Sequence, residues 1–323
     1  MSATGKAKLV TVFGGSGFIG RNVVRRLARQ GYRVRVAVRK PNLAHFLRPL
    51  GEVGQISLVQ ANLRDADSII RATEGADAVI NLVGLRVESG TQKFSALHHQ
   101  GALWVAQAAE RAKVPTFIHV SGPAVDVDSA SKYAQTKGLG EQAVRDVRPD
   151  AILIRPSTTF GSDDTFLNRF AAMARLLPVL PLIGGGQTRF QPIYVGDVAD
   201  AIVNAVGAKN IAGKTFELGG PAIYTMKELL EFVNKQTERN RPLVPMPIAL
   251  AKLEARFIGL LPNPPLTADE VLLLTQDHVV SDDPEIGTIA DLGVSDLKTM
   301  EAIAPTYLWR YRRTGEFASG HAA

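Results

Sequence analysis

The chain has 323 residues, enough for one large domain or two fused ones. Its composition, 46% hydrophobic and 21% charged, allows a sizeable core and excludes wholesale disorder or a fibrous repeat. Having no cysteine, it cannot hold a disulfide, a thiolate-bound zinc, an iron–sulfur cluster or a cysteine nucleophile. The net charge of +6 is uneven: residues 1–60 carry eleven Lys or Arg against a single acid, Glu52. Such a field suits an anionic ligand, an acidic partner or an anionic membrane surface, or simply a solvated helix face. Nucleic acid is not expected, because no recognised binding module is present and aromatics are only 7%. No apolar run reaches the roughly 18 residues of a membrane span. Met1–Lys8 lacks the apolar core of a signal peptide, so a cytoplasm, or a matrix after processing, is expected.

From Leu9 the chain alternates short β-branched runs with helical stretches. Leu9–Phe13 is predicted as a strand and Arg21–Gln30 as a helix, with Val23, Val24 and Leu27 as its apolar stripe. Gly31 stands where a left-handed cap would end that helix. Tyr32–Arg39 alternates basic and apolar residues, with Val34, Val36 and Val38 on one face. Ile56–Val59, Ala78–Val83, Phe117–Ser121 and Ala151–Ile154 continue the strands, and Ala102–Ala112 and Lys132–Val147 the helices. This alternation gives a parallel sheet with right-handed crossovers. Residues 1–160 therefore read as a doubly wound α/β (Rossmann) domain, its sheet completed by parts of 190–220.

Beyond residue 160 the rhythm loosens. Phe166–Leu177 and Val195–Val206 read as helices, and Pro178–Gly186 as an irregular Pro/Gly segment. Asp163 and Asp164 read as a turn and cap, and Trp104 and Trp309 as packing residues. Thr225 with Glu228 forms a capping box opening Met226–Lys235, and Thr267 with Glu270 repeats it before Val271–Thr275. The proline-rich stretch Pro242–Pro265 brackets an apolar helix, Ile248–Leu261, too interrupted by Lys252, Glu254 and Arg256 to cross a bilayer. Residues 161–323 are expected to form a smaller C-terminal α/β cap over the open edge of the sheet, with a mobile tail from about Gly315.

The most specific signal is Val12-Phe13-Gly14-Gly15-Ser16-Gly17-Phe18-Ile19-Gly20, which joins the first predicted strand to the first predicted helix. Gly14 would permit the tight turn, Gly17 the approach of a pyrophosphate, and Gly20 close packing of helix on strand. Free N–H groups at the helix start face such phosphates favourably. The end of the next strand decides the dinucleotide: an acid there holds a ribose 2′-hydroxyl, whereas Arg39, with Lys40 behind it, suits a 2′-phosphate. A charge-assisted bond of that kind favours NADP(H) by roughly ten- to a hundredfold. Tyr133 and Lys137 share one face of a predicted helix at i, i+4. A neighbouring cation should lower the phenol below its usual pKa of about 10, fitting it for proton exchange with a carbonyl or alcohol. Ser121, ending the preceding strand, is placed to orient that carbonyl, and Lys137 to hold the nicotinamide ribose.

Gly14–Gly20, Asn81-Leu82-Val83-Gly84, Ser121, Tyr133/Lys137, Arg155-Pro156-Ser157 with Phe160-Gly161, and Tyr194–Ala199 follow in order over residues 8–235. Together they resemble an extended or atypical short-chain dehydrogenase/reductase. Phe117–Ser121, Asp164–Ala171, Gln191–Val198 and the Pro-rich stretch through Thr267 are similar, more narrowly, to the dehydrogenase-like accessory subunits of respiratory complex I. The resemblance implies a tightly held, structural NADPH, with Asn62, Leu63, Val83, Gly84 and Pro156 also along the nucleotide and Tyr133/Lys137 as a remnant. It implies partners in the quinone-reducing module and contact of the cap and the Ile248–Leu261 helix with other subunits or the membrane surface. Lacking a presequence, the chain resembles a bacterial member, peripheral on the cytoplasmic side of the inner membrane; a eukaryotic one would lie on the matrix side. Two departures weaken an intact proton relay: His98 stands where active members carry an Asn, and Asn62 where many have an Asp facing adenine. His98 and His99 lack a third ligand at metal-binding spacing and read as helix surface. A free-standing NADPH-dependent reductase or sugar-nucleotide epimerase using Ser121, Tyr133 and Lys137, and a redox sensor without turnover, stay open as alternatives.

Overall fold

The computed structural model describes residues 7–258, 266–313 and 315. The expected tail beyond Gly315 and the end of the expected helix at 259–261 lie outside the described residues. Two compact units emerge. The first gathers the chain to Arg155 with Val198–Glu217 and Asp282–Ser295; the second gathers Pro156–Asp197, Leu218–Ser281 and the chain from Asp296.

The first unit is built on a sheet whose inner strands are buried on both faces, as a covered parallel sheet requires. In β1 (Leu9–Phe13), Val10, Val12 and Phe13 are fully buried, and Val34 and Val36 are equally so in β2 (Arg33–Val38). The remaining strands are β3 (Ile56–Gln60), β4 (Ala78–Asn81), β5 (Thr116–Val120), β6 (Ile152–Pro156) and β7 (Thr215–Leu218). They form one seven-stranded sheet in the order β7-β6-β5-β4-β1-β2-β3. Pairing is parallel from Val34↔Ile56 through Val10↔Val34, Val10↔Ala78 and Asn81↔His119 to Val120↔Ile154. The amides of Leu153 in β6 and of Ser157 just after it donate to the Lys214 and Leu218 carbonyls at one constant offset, so the last strand is parallel too. The fold is a doubly wound α/β sheet with a smaller C-terminal α/β region, and its strand order reverses at β1.

Helices cover the sheet through narrow apolar stripes. α1 (Phe18–Arg29) buries Gly20, Val23, Val24, Leu27 and Ala28 at helical spacing. α2 (Ala66–Thr73) starts at Asp65, whose carboxylate accepts the Ser68 N–H. α3 (Gly101–Arg111) and α4 (Lys132–Val147) follow, the latter capped by Ser131 accepting from Ala134 N–H. Trp104 is half-buried against the core formed by Phe117, Val105 and Val144.

The second unit contains α5 (Leu167–Leu176), the start of α6 (Val195–Gly207) and α7 (Met226–Gln236). Its core joins Phe160, Phe170, Phe190, Leu229, Tyr307 and Leu308. The capping boxes of Thr225/Glu228 and Thr267/Glu270 both form, opening α7 and, after α8 (Ile248–Ile258), the short α9 (Ala268–Leu273). Asp164 does act as a cap, accepting from Phe166 and Asn168 N–H and from the Tyr307 hydroxyl at 2.8 Å. Pro178–Gly186 is more ordered than expected. Leu180–Ile183 forms a strand parallel to Leu243–Met246, with Pro181 opposite Val244 and Pro245 opposite Leu182. A strand with one neighbour keeps an open edge, where a proline's missing N–H costs no ladder bond.

Phe117, on the interior strand β5, is 1% exposed. Replacing it by Ala should cost about 3–5 kcal/mol, read as a lower urea midpoint with unchanged slope; a loss below 1 kcal/mol would place the core elsewhere.

Candidate functional site

A cleft opens in the first unit at the carboxyl ends of β1, β2 and β4, lined by Gly14, Ser16, Gly17, Arg39, Asn62, Leu63 and the Leu82–Leu85 loop. Gly14 adopts φ +77°, a left-handed value that suits glycine, and its carbonyl accepts the Gly17 N–H at 3.0 Å. A Cβ on Gly20 would overlap the Gly14 carbonyl oxygen, so only glycine lets α1 start this close to the loop. At Gly17 a Cβ would meet nothing closer than that same oxygen, at 3.2 Å, leaving an exposed backbone open to approach. α1 has no side-chain cap and no acid in its first turn. Its first N–H groups therefore keep their partial positive charge for an anion.

The other glycine-loop residues do different work. Gly15 faces inward, where a Cβ would sit 2.7 Å from Val36 Cγ1, while Phe18 and Ile19 begin the helix half-buried. None of these three, nor Gly20, lines the cleft. Arg39 directly follows β2, exposed at the cleft, without a hydrogen-bond or ion-pair partner among the described residues. Lys40 is exposed beside it and outside the lining; Pro156 ends β6 in the second unit and is also outside it. Asn62 turns its amide oxygen onto the Arg64 N–H at 3.2 Å, an internal turn that leaves the amide nitrogen available.

Tyr133 and Lys137 lie one turn apart on α4, as their spacing requires. A Cβ on Gly122 would stand 2.7 Å from the Tyr133 hydroxyl, and one on Gly84 3.4 Å from Lys137 Nζ. The pair thus sits against two backbone segments that side chains would block. Lys137 is 4% exposed; burial lowers its pKa to about 8, with Glu141 opposing the shift. The phenol differs from expectation: burial pushes Tyr133 up to about 12, outweighing any help from the lysine. Ser121, 7% exposed, has no partner for its Oγ among the described residues.

Sequence reasoning missed His119. Asn81 accepts the Val83 N–H through Oδ1, so its amide nitrogen faces His119 Nδ1 at 3.1 Å. The imidazole proton then belongs on Nε2, which is buried without a partner among the described residues. Burial, then Lys137, hold this ring neutral, its pKa lowered to about 3. The alternation of Phe117, His119 and Ser121 along β5 was the available signal. His98 is a second correction: it is 1% exposed inside a π-helical turn, Ser95–Gln100, rather than on a helix surface. The turn's extra residue shifts the helical register that periodicity assumes. No group of three potential metal ligands occurs among the described residues.

Residues 10–219 match the model of the NAD dependent epimerase/dehydratase family. The chain is 37% identical over 311 residues to mouse "NADH dehydrogenase [ubiquinone] 1 alpha subcomplex subunit 9, mitochondrial", covering 93% of this chain and 81% of that protein. It is 35% identical over 201 residues to "Ceramide reductase" of Caulobacter vibrioides, covering 62% of each. In fold it is similar to a dTDP-glucose 4,6-dehydratase of Streptomyces venezuelae solved with NAD and TYD bound, at a TM-score of 0.69, 20% identity, and 95% and 97% coverage.

Lys137 supplies a test of the buried charge. Its folded pKa of about 8 lies below the unfolded value, so the charged lysine destabilises the fold fully below pH 8. That cost disappears as pH rises past the unfolded value of about 10.4. Lys137→Met should remove up to roughly 3 kcal/mol of this cost at pH 7 and almost none at pH 10.5. Urea unfolding of both proteins across that range checks it; a pH-independent difference would refute the buried charge.

Proposed function

The chain belongs to the NAD dependent epimerase/dehydratase family, and from that premise we propose that it is an NADPH-holding accessory subunit of a complex I type NADH:quinone oxidoreductase. It would stabilise the quinone-reducing module, peripherally on the cytoplasmic or matrix side of the membrane. The observation that carries this reading is the 37% identity to a complex I subunit over 93% of the chain, which includes the second unit as well as the sheet.

The residues of the cleft fit such a nucleotide. The uncapped start of α1 and the open side of Gly17 would receive the pyrophosphate. Arg39, with no acid at the end of β2, would hold the 2′-phosphate. Gly84 and Lys137 would flank the nicotinamide ribose. When bound, NADPH supplies a hydride donor. Tyr133 nonetheless keeps its proton at neutral pH, being pushed up to about 12, so it donates a hydrogen bond more readily than it abstracts a proton.

The docking part of the reading rests on the second unit. α8 buries Ala251 and Ala255 but leaves Leu250, Leu253 and Phe257 exposed, the last at 67%. Leu176, Leu177, Val179 and Val244 are exposed in the same unit. Exposed apolar side chains in this number suit cover by other subunits or the membrane surface. No helix among the described residues is long and apolar enough to cross a membrane.

A second reading, a free-standing NADPH-dependent reductase, is favoured by Ser121, Tyr133 and Lys137 all being retained and by the similarity to a ceramide reductase. Tyr133→Phe separates the two: a reductase should lose most of its turnover, whereas an accessory subunit should still support assembly of the complex.

Affinity purification from membranes should recover the chain with complex I subunits and release NADPH on denaturation. Recovery only as a free soluble protein, from cells containing the complex, would overturn the reading. Arg39→Gln should weaken NADPH binding by about ten- to a hundredfold and leave NADH unchanged in calorimetry. Equal effects on both nucleotides would remove Arg39 from the 2′-phosphate site.

A further inference from the structure

We propose that His98 is a positioning residue of the cleft, clamping the Gly84–Leu85 loop to the helix that carries Tyr133 and Lys137. The inference rests on the reading of the cleft as an NADPH site and adds to it a residue that touches no reacting atom.

The hydrogen bonds admit a single neutral tautomer. The Leu85 N–H donates to His98 Nε2 at 2.9 Å, so Nε2 carries no proton. The ring proton lies on Nδ1, 3.1 Å from Thr136 Oγ1. Thr136 gives its own hydroxyl proton to the Lys132 carbonyl at 2.7 Å, leaving its oxygen to accept from His98. One ring thus joins the loop after β4 to α4, one residue before Lys137. The imidazole stacks on Phe94, with ring centres 5.2 Å apart, and meets the edge of Tyr133 at 5.3 Å, so rotation would forfeit both contacts.

The surroundings fit this role. A Cβ on Gly140 would overlap the His98 carbonyl oxygen, so α4 packs directly on the π turn. Both amides flanking Gly84 are held by side chains, Val83 by Asn81 Oδ1 and Leu85 by His98. The position of Gly84 against Lys137, and of the cleft wall with it, is therefore set by two buried polar residues. Burial, Lys137 and His119 together keep the imidazole neutral, so its acceptor nitrogen persists across the physiological range.

Two conservative variants divide the clamp. The amide of Gln reaches the place of Nε2, and that of Asn the place of Nδ1. In the full-length protein, His98→Gln should bind NADPH within about threefold of wild type, while His98→Asn, which strands the Leu85 N–H, should lose about tenfold or more. Neither should alter binding of adenosine 2′,5′-bisphosphate, which lacks the nicotinamide end, and that control guards against misfolding. In the nucleotide-free protein, Leu85 amide exchange should be slow in wild type and His98→Gln but fast in His98→Asn. Indistinguishable variants, or equal weakening of both ligands, would overturn the proposal. Should the wild type bind no NADPH, the nucleotide reading fails by itself, and Leu85 exchange still decides the clamp: a contrast between the variants supports it, and equal rates refute it.

Discussion

Right-handed crossovers that leave adjacent strands in opposite directions must put their helices on opposite faces of a sheet. β1 and β4 are such a pair, because β1 leads through α1 to β2 while β4 leads through α3 to β5. Their outgoing loops part, and the crevice between them is where the cleft forms. Backbone can reach into that crevice only if side chains stay out of it. Gly14, Gly17 and Gly84 supply this condition from the two loops, and Gly20 allows the helix start to follow closely. The strand order thus creates the cleft, and the glycines keep it accessible.

Burial governs the chemistry around it. Lys137, His119 and Tyr133 are each shifted toward the uncharged form, with desolvation the largest cause in all three. A lysine beside a tyrosine would favour phenolate in water. Here the phenolate would have to form in a poorly hydrated place, and that cost exceeds the attraction. The same environment makes hydrogen-bond partners decisive, since an unpaired buried polar atom is expensive. Asn81 and Thr136 satisfy several such atoms, whereas Ser121 Oγ and His119 Nε2 have no hydrogen-bond partner among the described residues.

Much of the first unit was legible because its signals are local. Leu9–Phe13 is apolar on both faces, the glycines follow at fixed offsets, and Lys132–Val147 begins at a Ser cap, so strand, loop and helix announce themselves. The Tyr133–Lys137 spacing likewise needs only a helix to become a shared face. Features set by distant contacts were not legible. His98 reads as surface in an ideal helix, and only the π turn buries it. Leu180–Ile183 looks like a proline-broken loop until Leu243–Met246 pairs with it from far along the chain. The phenol's pKa also escaped, because sequence spacing shows a neighbouring charge but not the loss of water.

α8 bears on function independently of the nucleotide. A helix on a folded surface usually turns its largest apolar residues inward. This one buries two alanines and presents Leu250, Leu253 and Phe257 outward. Each is already partly covered, so completing the burial would be worth about half of the roughly 1.5–3 kcal/mol of a fully buried side chain, a gain the isolated chain forgoes. A self-contained soluble reductase has no use for such an arrangement unless its substrate or its membrane supplies the cover. Such exposure fits a chain whose apolar side chains are covered on association. The cleft alone fits either a holder or a reductase; the outward face of α8 shifts the balance toward a chain completed by what it docks on.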